Sequence, residues 1–244
     1  MSDRHCFALY FANLNDQWAA KELKIVDPEL CHRVVHILRL LPGEQLLLFG
    51  AQVSVTGSVS QISAKQFVLR DLSWQKHEPA QPHITMAIGV LKRDNFSDAL
   101  YSCAEVGVNV IQPIIFEKSS TQPLNYERLQ RVLIAACEQS KNFDLPVIKE
   151  PVRLTDFFKT LDPAASYIYC DPFGKNIWDI FSVVHASAPS KLVTIVGPEG
   201  GVTEGEQELL RAHSQIKWAR LTPTILRATQ SVAVIGGMAR SIFR

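Results

Sequence analysis

From His83 onward, short apolar runs alternate with helical patterns, and this alternation restricts the fold more than any other feature of the chain. His83 to Val90 reads as a strand, Asn95 to Val106 as a helix stopped by Gly107, and Val110 to Phe116 as a second strand. Asn125 to Lys141 reads as a helix. Tyr167 to Cys170 and Lys191 to Val196 are short buried strands, Thr203 to His213 a helix, Ile216 to Leu221 a strand and Thr229 to Phe243 a closing helix. Strands separated by helices are joined by crossovers. The pattern therefore predicts an α/β fold with an open, largely parallel sheet covered by helices on both faces.

The first part of the chain follows a different rule. Cys6 to Phe11, Gln45 to Phe49, Gln52 to Gln61 and Gln66 to Leu72 read as strands, with turn signals at Pro42-Gly43, Gly50 and Ser63-Ala64. One helix interrupts them: Asp27 is an N-cap, Pro28 a first-turn proline, and the pattern runs to about Arg39. Several strands with one helix predict a small barrel or sandwich. Ser73 to Pro82 lacks apolar periodicity and carries two prolines, which makes it the expected boundary between a domain at 1–73 and a domain at 82–244.

A chain of 244 residues, 47% hydrophobic and 20% charged, buries a real core. Its formal net charge of +1 argues against a protein that coats nucleic acid wholesale, while leaving room for a local basic patch. The five cysteines are scattered with no C-x-x-C spacing, which suits small buried hydrophobes in a reducing cytosol better than disulfides or a zinc cluster. No metal is expected, because the histidines show no ligand spacing such as H-E-x-x-H. The opening residues show no basic stretch followed by an apolar one, so no signal peptide is expected. No apolar run is long enough for a membrane span.

Ligands of open α/β sheets sit outside the carboxyl ends of the strands, and two segments at such ends stand out. The first follows Leu192 to Val196: Gly197-Pro198-Glu199-Gly200-Gly201, with glycine at three of five positions. Glycine permits close backbone approach and positive φ, and proline stiffens the turn. Thr203 with Glu206 fits a capping box, so the loop opens directly into a helix. It matches neither G-x-x-x-x-G-K-[ST] nor G-x-G-x-x-G. A plain strand-to-helix turn is the alternative. The second segment, Leu221-Thr222-Pro223-Thr224-Ile225-Leu226-Arg227, also joins a strand to a helix. Arg227 stands near that helix's N-terminus, where the dipole disfavours a cation, so its charge is expected to serve a partner or substrate; a surface arginine is the alternative.

Gly197 to Gly201 followed by Ile225-Leu226-Arg227 resembles the RsmE family, SPOUT-class methyltransferases acting on N3 of a uridine in 16S (small-subunit) ribosomal RNA. The likeness runs along the chain. His32 with Ile37-Leu38-Arg39-Leu40 is similar to the family's N-terminal histidine ahead of V-L-R-L, and Lys92 to the lysine after its first C-terminal strand. Ala104-Glu105-Val106-Gly107-Val108 is similar to A-T-E-L-G-V, and Glu138-Gln139-Ser140 to E-Q-S. The sequence departs from the pattern at Thr224, where the family has arginine. It departs again at Ala228-Thr229-Gln230-Ser231 in place of T-E-T-A, and at Lys141-Asn142 in place of Gly-Arg.

The resemblance implies a PUA-like RNA-binding barrel followed by a SPOUT domain with a C-terminal trefoil knot, a rare exception to unthreaded chains. It implies S-adenosylmethionine as cofactor, held by Gly197, Glu199, Gly200, Gly201, Leu221, Ile225, Leu226 and Arg227. It also implies a homodimer whose active site forms across the interface. Uridine N3 is a poor nucleophile until its proton leaves, so the site needs a base or cations that stabilise the anion. Arg227 is the candidate for the second role and Gln139 for orienting the base edge; Glu138 reads as a paired or solvated charge before a proton acceptor. Arg4, His32, Arg39 and Lys92 are the candidate RNA contacts. Two other readings stay open: a SPOUT enzyme of altered RNA target, and an RNA-binding or ribosome-assembly protein that kept the fold without catalysis.

Overall fold

The computed structural model of the protein describes residues 6–187 and 189–242, and they fall into two units. The first comprises residues up to Glu78 together with Cys137–Asp144, the second Pro79–Ala136 with Leu145 onward.

In the first unit, β1 (Phe7–Tyr10), β2 (Leu23–Ile25), β3 (Gln45–Gly50), β4 (Val53–Ile62) and β5 (Phe67–Lys76) form one curled sheet in the order β1-β3-β4-β5-β2. Only the β1–β3 pair is parallel. Register shifts near Thr56 and Val59 strengthen the local twist, as bulges do. Leu9, Leu46, Leu48, Val55, Phe67 and Leu69 close its core with Cys31 and Val34 from the helical segment.

That segment begins as expected: Asp27 accepts a hydrogen bond from Leu30 N at 2.9 Å, and Pro28 opens α1 (Pro28–His32). It does not continue as an α-helix to Arg39. Arg33–Ile37 widens into a π turn, Leu40 N donates back to Val34 O, and Arg39 sits in left-handed backbone at φ +52°. The helix closes with a Schellman-like stop at Leu38, and Arg39 is the left-handed residue just beyond it.

Residues 73–76, expected as linker, are the end of β5, where Trp74 pairs with Val55 and Gln75 with Ser54. Trp74 is the one large apolar side chain in this stretch, too few to show the two-residue alternation of a strand. Trp74 turns inward, donates to Ala20 O at 3.0 Å and meets Trp18 edge-on.

The second unit carries β6 (His83–Gly89), α2 (Arg93–Glu105), β7 (Val110–Ile115) and α3 (Tyr126–Ser140), whose last residues count with the first unit. Then follow β8 (Val147–Ile148), β9 (Val152–Arg153), α4 (Leu154–Phe158), β10 (Ser166–Asn176), α5 (Ile177–Ala186), β11 (Lys191–Val196), α6 (Glu204–Ala212), β12 (Ile216–Arg220) and α7 (Ala228–Ile242). The sheet order is β12-β10-β11-β6-β7-β8 with β9 beside β7, and every pairing is parallel, as the alternation predicted.

One strand of this unit runs beyond the sequence reading. β10 runs past Cys170 to Asn176 and α5 follows it directly. Cys170 and Lys175 both pair with Ala219, so residues 171–174 loop out between them at the carboxyl end of the sheet. The capping box at α6 is present: Glu206 accepts from Thr203 N at 2.9 Å and Thr203 Oγ1 from Glu206 N at 3.4 Å. The same buried carboxylate accepts from Glu117 N at 2.7 Å and so anchors the loop after β7. Among the described residues no helix is long and apolar enough to cross a membrane.

Candidate functional site

The sheet order places the carboxyl ends of β12, β10, β11 and β6 side by side, and the two loops singled out by sequence leave from two of them. Gly197 to Gly201 follows β11, packed backbone against backbone. A Cβ on Gly89, at the end of β6, would lie 2.6 Å from Pro198 N, and one on Gly200 would lie 2.8 Å from Lys118 Cβ and 3.0 Å from Lys118 O. Side chains at these positions have no room.

Glu199 fixes the loop from the other side. Its carboxylate accepts from Lys92 N at 2.9 Å and from the Asn95 amide. Lys92 is the N-cap of α2 and caps nothing with its own side chain, so Glu199 supplies the cap from 107 residues away. An anion at a helix N-terminus is also favoured by the dipole.

The second loop crosses from β12 to α7. Thr222 Oγ1 donates to Thr224 O at 2.6 Å, and Ser231 N donates to Arg227 O at 2.9 Å to open the helix. Arg227 is exposed and makes no ion pair or side-chain hydrogen bond with any described residue. Ile225 is 77% exposed.

Both loops line one cavity of about 690 Å³. Gly197, Glu199, Gly201, Leu221, Ile225, Leu226 and Arg227 contribute to its wall, whereas Gly200 is turned away and packs on Lys118. Asn95 and Asp98 of α2 complete the wall together with Tyr169, Asp171 and Phe173 of β10.

The residues expected to meet RNA are not gathered there. Lys92 is exposed at the start of α2. In the first unit His32 is exposed and its ring lies 5.0 Å from that of His36, and Arg39 is exposed on its left-handed turn. Arg4 lies outside the described residues. Gln139 is exposed near the end of α3 and does not line the cavity.

Glu138 is held in a tight ion pair. It accepts from both terminal nitrogens of Arg33, at 2.9 and 2.5 Å, and from Tyr10 N at 2.9 Å. The hydrogen bonds to Glu138 raise the Arg33 guanidinium above its ordinary value against the opposing effect of burial. This is the paired-charge reading of Glu138.

Tyr169 and Asp171 escaped the sequence reading. Tyr169 is 3% exposed, packed edge-on against Trp218 with ring centroids 4.7 Å apart. Burial, and next the Asp171 carboxylate, push its phenol well above the usual range, so it stays protonated as a donor. Asp171 Oδ1 accepts from Phe173 N at 2.7 Å and shapes the looped-out residues. The available signal was positional, since both lie at the carboxyl end of a parallel strand. Among the described residues no group of three or more His, Cys, Asp or Glu is placed to hold a metal ion.

Comparison with known proteins decides the family. Residues 77–238, more than half of the chain, match the family described as RNA methyltransferase domain. The chain belongs to this RNA methyltransferase family.

Relatives of this RNA methyltransferase include "Ribosomal RNA small subunit methyltransferase E" of Rickettsia conorii, 27% identical over 85% of this chain and 84% of the relative. The protein of the same name from Synechocystis is 26% identical over 83% and 68%. These names agree with the RsmE resemblance read from the two loops. Among solved structures, a ribosomal RNA small subunit methyltransferase E of Neisseria gonorrhoeae bound to S-adenosyl methionine superposes with a TM-score of 0.82 at 21% identity. It covers 98% of each chain. A Legionella pneumophila protein assigned as a methyltransferase, solved in complex with the same cofactor, gives 0.79 at 24% identity, covering 97% of this chain and 98% of its own. At these identities they speak for the fold.

Proposed function

We propose that this RNA methyltransferase takes a methyl group from S-adenosylmethionine and places it on N3 of a uridine in 16S ribosomal RNA. The observation that carries the reading is the convergence of the Gly197 loop and the 221–227 loop on one cavity at the carboxyl ends of the strands. The names of the relatives point to the small-subunit RNA.

The cavity suits the cofactor in size and chemistry. Its volume of about 690 Å³ lies in the range of small-molecule sites, its glycines bare the backbone, and its wall is about equally polar and apolar, which suits a cofactor with a flat ring at one end and charged groups at the other. Gly197, Glu199, Gly201, Leu221, Ile225 and Leu226 would hold it, with Gly200 setting the loop's approach to Lys118. When bound, the cofactor supplies an electrophilic methyl group on a sulfonium. The chain's part is to position the acceptor in line behind that methyl and to stabilise the uridine anion. Arg227 has its charge unspent at the cavity wall, and we assign it that stabilisation. Gln139 would orient the base edge, in an active site that the resemblance implies is formed across a homodimer interface.

Under this reading the first unit is a PUA-like barrel that brings RNA to the enzyme through Arg4, His32 and Arg39, with Lys92 adding a contact beside the cavity. The domains would divide near the expected 73–82 segment, and the second unit would carry the C-terminal trefoil knot that the resemblance implies. Work on ribosomal RNA supports a cytoplasmic location for the enzyme. A homodimer is supported by the large apolar side chains left open at the cavity: Phe173 is 92% exposed and Ile225 77%. Light scattering should give twice the chain mass, and a monomer at micromolar concentration would remove the dimer from the scheme.

Calorimetric titration with S-adenosylmethionine should saturate near one site per chain, and absence of binding refutes the reading. Deleting the gene and mapping modified uridines in small-subunit RNA by mass spectrometry should remove one N3-methyluridine. If that nucleotide persists in the deletion strain, the target is another.

A further inference from the structure

We propose that the Tyr169 hydroxyl is a cofactor-binding donor that recognises an acceptor atom on the nucleoside part of S-adenosylmethionine. The inference rests on the cavity being the cofactor site. Tyr169 sits on an interior strand, pairing with Ile195 of β11 on one side and Trp218 of the edge strand β12 on the other. Its ring belongs to the core with Ile195 and Leu210, and the residue lines the cavity. A Cβ built on Gly197 would stand 3.9 Å from the hydroxyl oxygen, so the phenol tip lies beside the first residue of the glycine loop.

This hydroxyl has no hydrogen-bond partner among the described residues, and it is not among the fully buried side-chain atoms that lack one, so it is not sealed in the protein. With the residue lining the cavity and its tip beside Gly197, the cavity is where a partner for this hydroxyl can come from. A core position that needed only bulk would be filled as well by phenylalanine, without a polar atom to desolvate. Tyrosine at this depth makes sense if a ligand completes its hydrogen bond.

The nucleoside is the part of the cofactor that fits there. Charged ammonium and carboxylate groups lose most on leaving water and belong at the open side of a cavity, while a flat neutral ring system belongs deep. Val196, Val202 and Leu226 line the same cavity and offer that ring an apolar surface. The raised phenol stays protonated at neutral pH and donates, which selects an adenine nitrogen or a ribose oxygen as its partner.

The test compares the full chain with Tyr169→Phe by calorimetry, using S-adenosylmethionine and 5′-methylthioadenosine, which keeps the nucleoside and lacks the amino-acid end. Tyr169→Phe should weaken both ligands about fivefold, the effect of one neutral hydrogen bond. The melting temperature of the ligand-free variant should not fall, because no bond within the protein is lost. Unchanged affinity for both ligands overturns the inference, as does a lowered ligand-free melting temperature, which would make the hydroxyl structural. Weakened S-adenosylmethionine with unchanged 5′-methylthioadenosine moves the contact to the amino-acid end and overturns the nucleoside assignment. Failure of the unmodified chain to bind either ligand is a separate result that refutes the cofactor reading itself.

Discussion

Arg227→Ala is expected to slow methylation by about 100- to 1000-fold while S-adenosylmethionine binds within about twofold of the unmodified chain. Both halves follow from the position of the side chain. Arg227 lies at the cavity wall and makes no ion pair with a described residue, so its removal opens no hole in the core and breaks no network. The guanidinium also stands against the dipole of α7, which begins at Ala228, so stability should not fall. What disappears is a cation beside the place where a uridine would lose its proton, a charge that develops on the way to the transition state. Single-turnover methylation of small-subunit RNA gives the rate and calorimetry gives the affinity. Normal turnover would show that Arg227 is not the stabilising group; lost cofactor affinity would make it a binding residue.

Glu138→Ala should have the largest effect on stability, about 2–3 kcal/mol. Its side chain is 9% exposed and holds three donors: two from Arg33 and one from the Tyr10 backbone. Truncation leaves the Arg33 charge and the Tyr10 N–H without their acceptor. The Arg33 side chain is 27% exposed and recovers some hydration, which sets the expectation below the full cost of a broken buried pair. Urea unfolding measures the loss. Glu138→Gln separates the ion-pair role from proton transfer: it keeps an acceptor oxygen but no basic carboxylate. Methylation that collapses in Glu138→Gln with unchanged stability would make Glu138 the proton acceptor instead.

What could be read from sequence was what is encoded locally. The parallel strands announce themselves as short apolar runs between helices, and the capping box of Thr203 and Glu206 spans three residues. The two loops were visible because glycine, proline and a charge opposed to a helix dipole each have a local physical reason. The Arg33–Glu138 pair was not visible, since its partners are separated by 105 positions and neither carries a local signature. β10 was shortened because Asp171-Pro172-Phe173-Gly174 reads as a turn, although the strand resumes against the same partner. Tyr169 looked like core because it is core; only the absence of a partner for its hydroxyl sets it apart. Arg39 was placed on a helix by its apolar spacing, which carries no information about the π turn that ends the helix first.

The brace between Glu199 and the start of α2 has a kinetic meaning. With its carboxylate fixed on Lys92 N and the Asn95 amide, the glycine loop is already ordered by the folding of the second unit. Glycine-rich segments ordinarily lose much conformational entropy when a ligand immobilises them. Here that loss falls on folding, so more of the contact energy at the cavity remains for affinity. A preorganised loop also lets the ligand associate in one step, with a rate that rises linearly with its concentration and no slow phase of loop closure behind it.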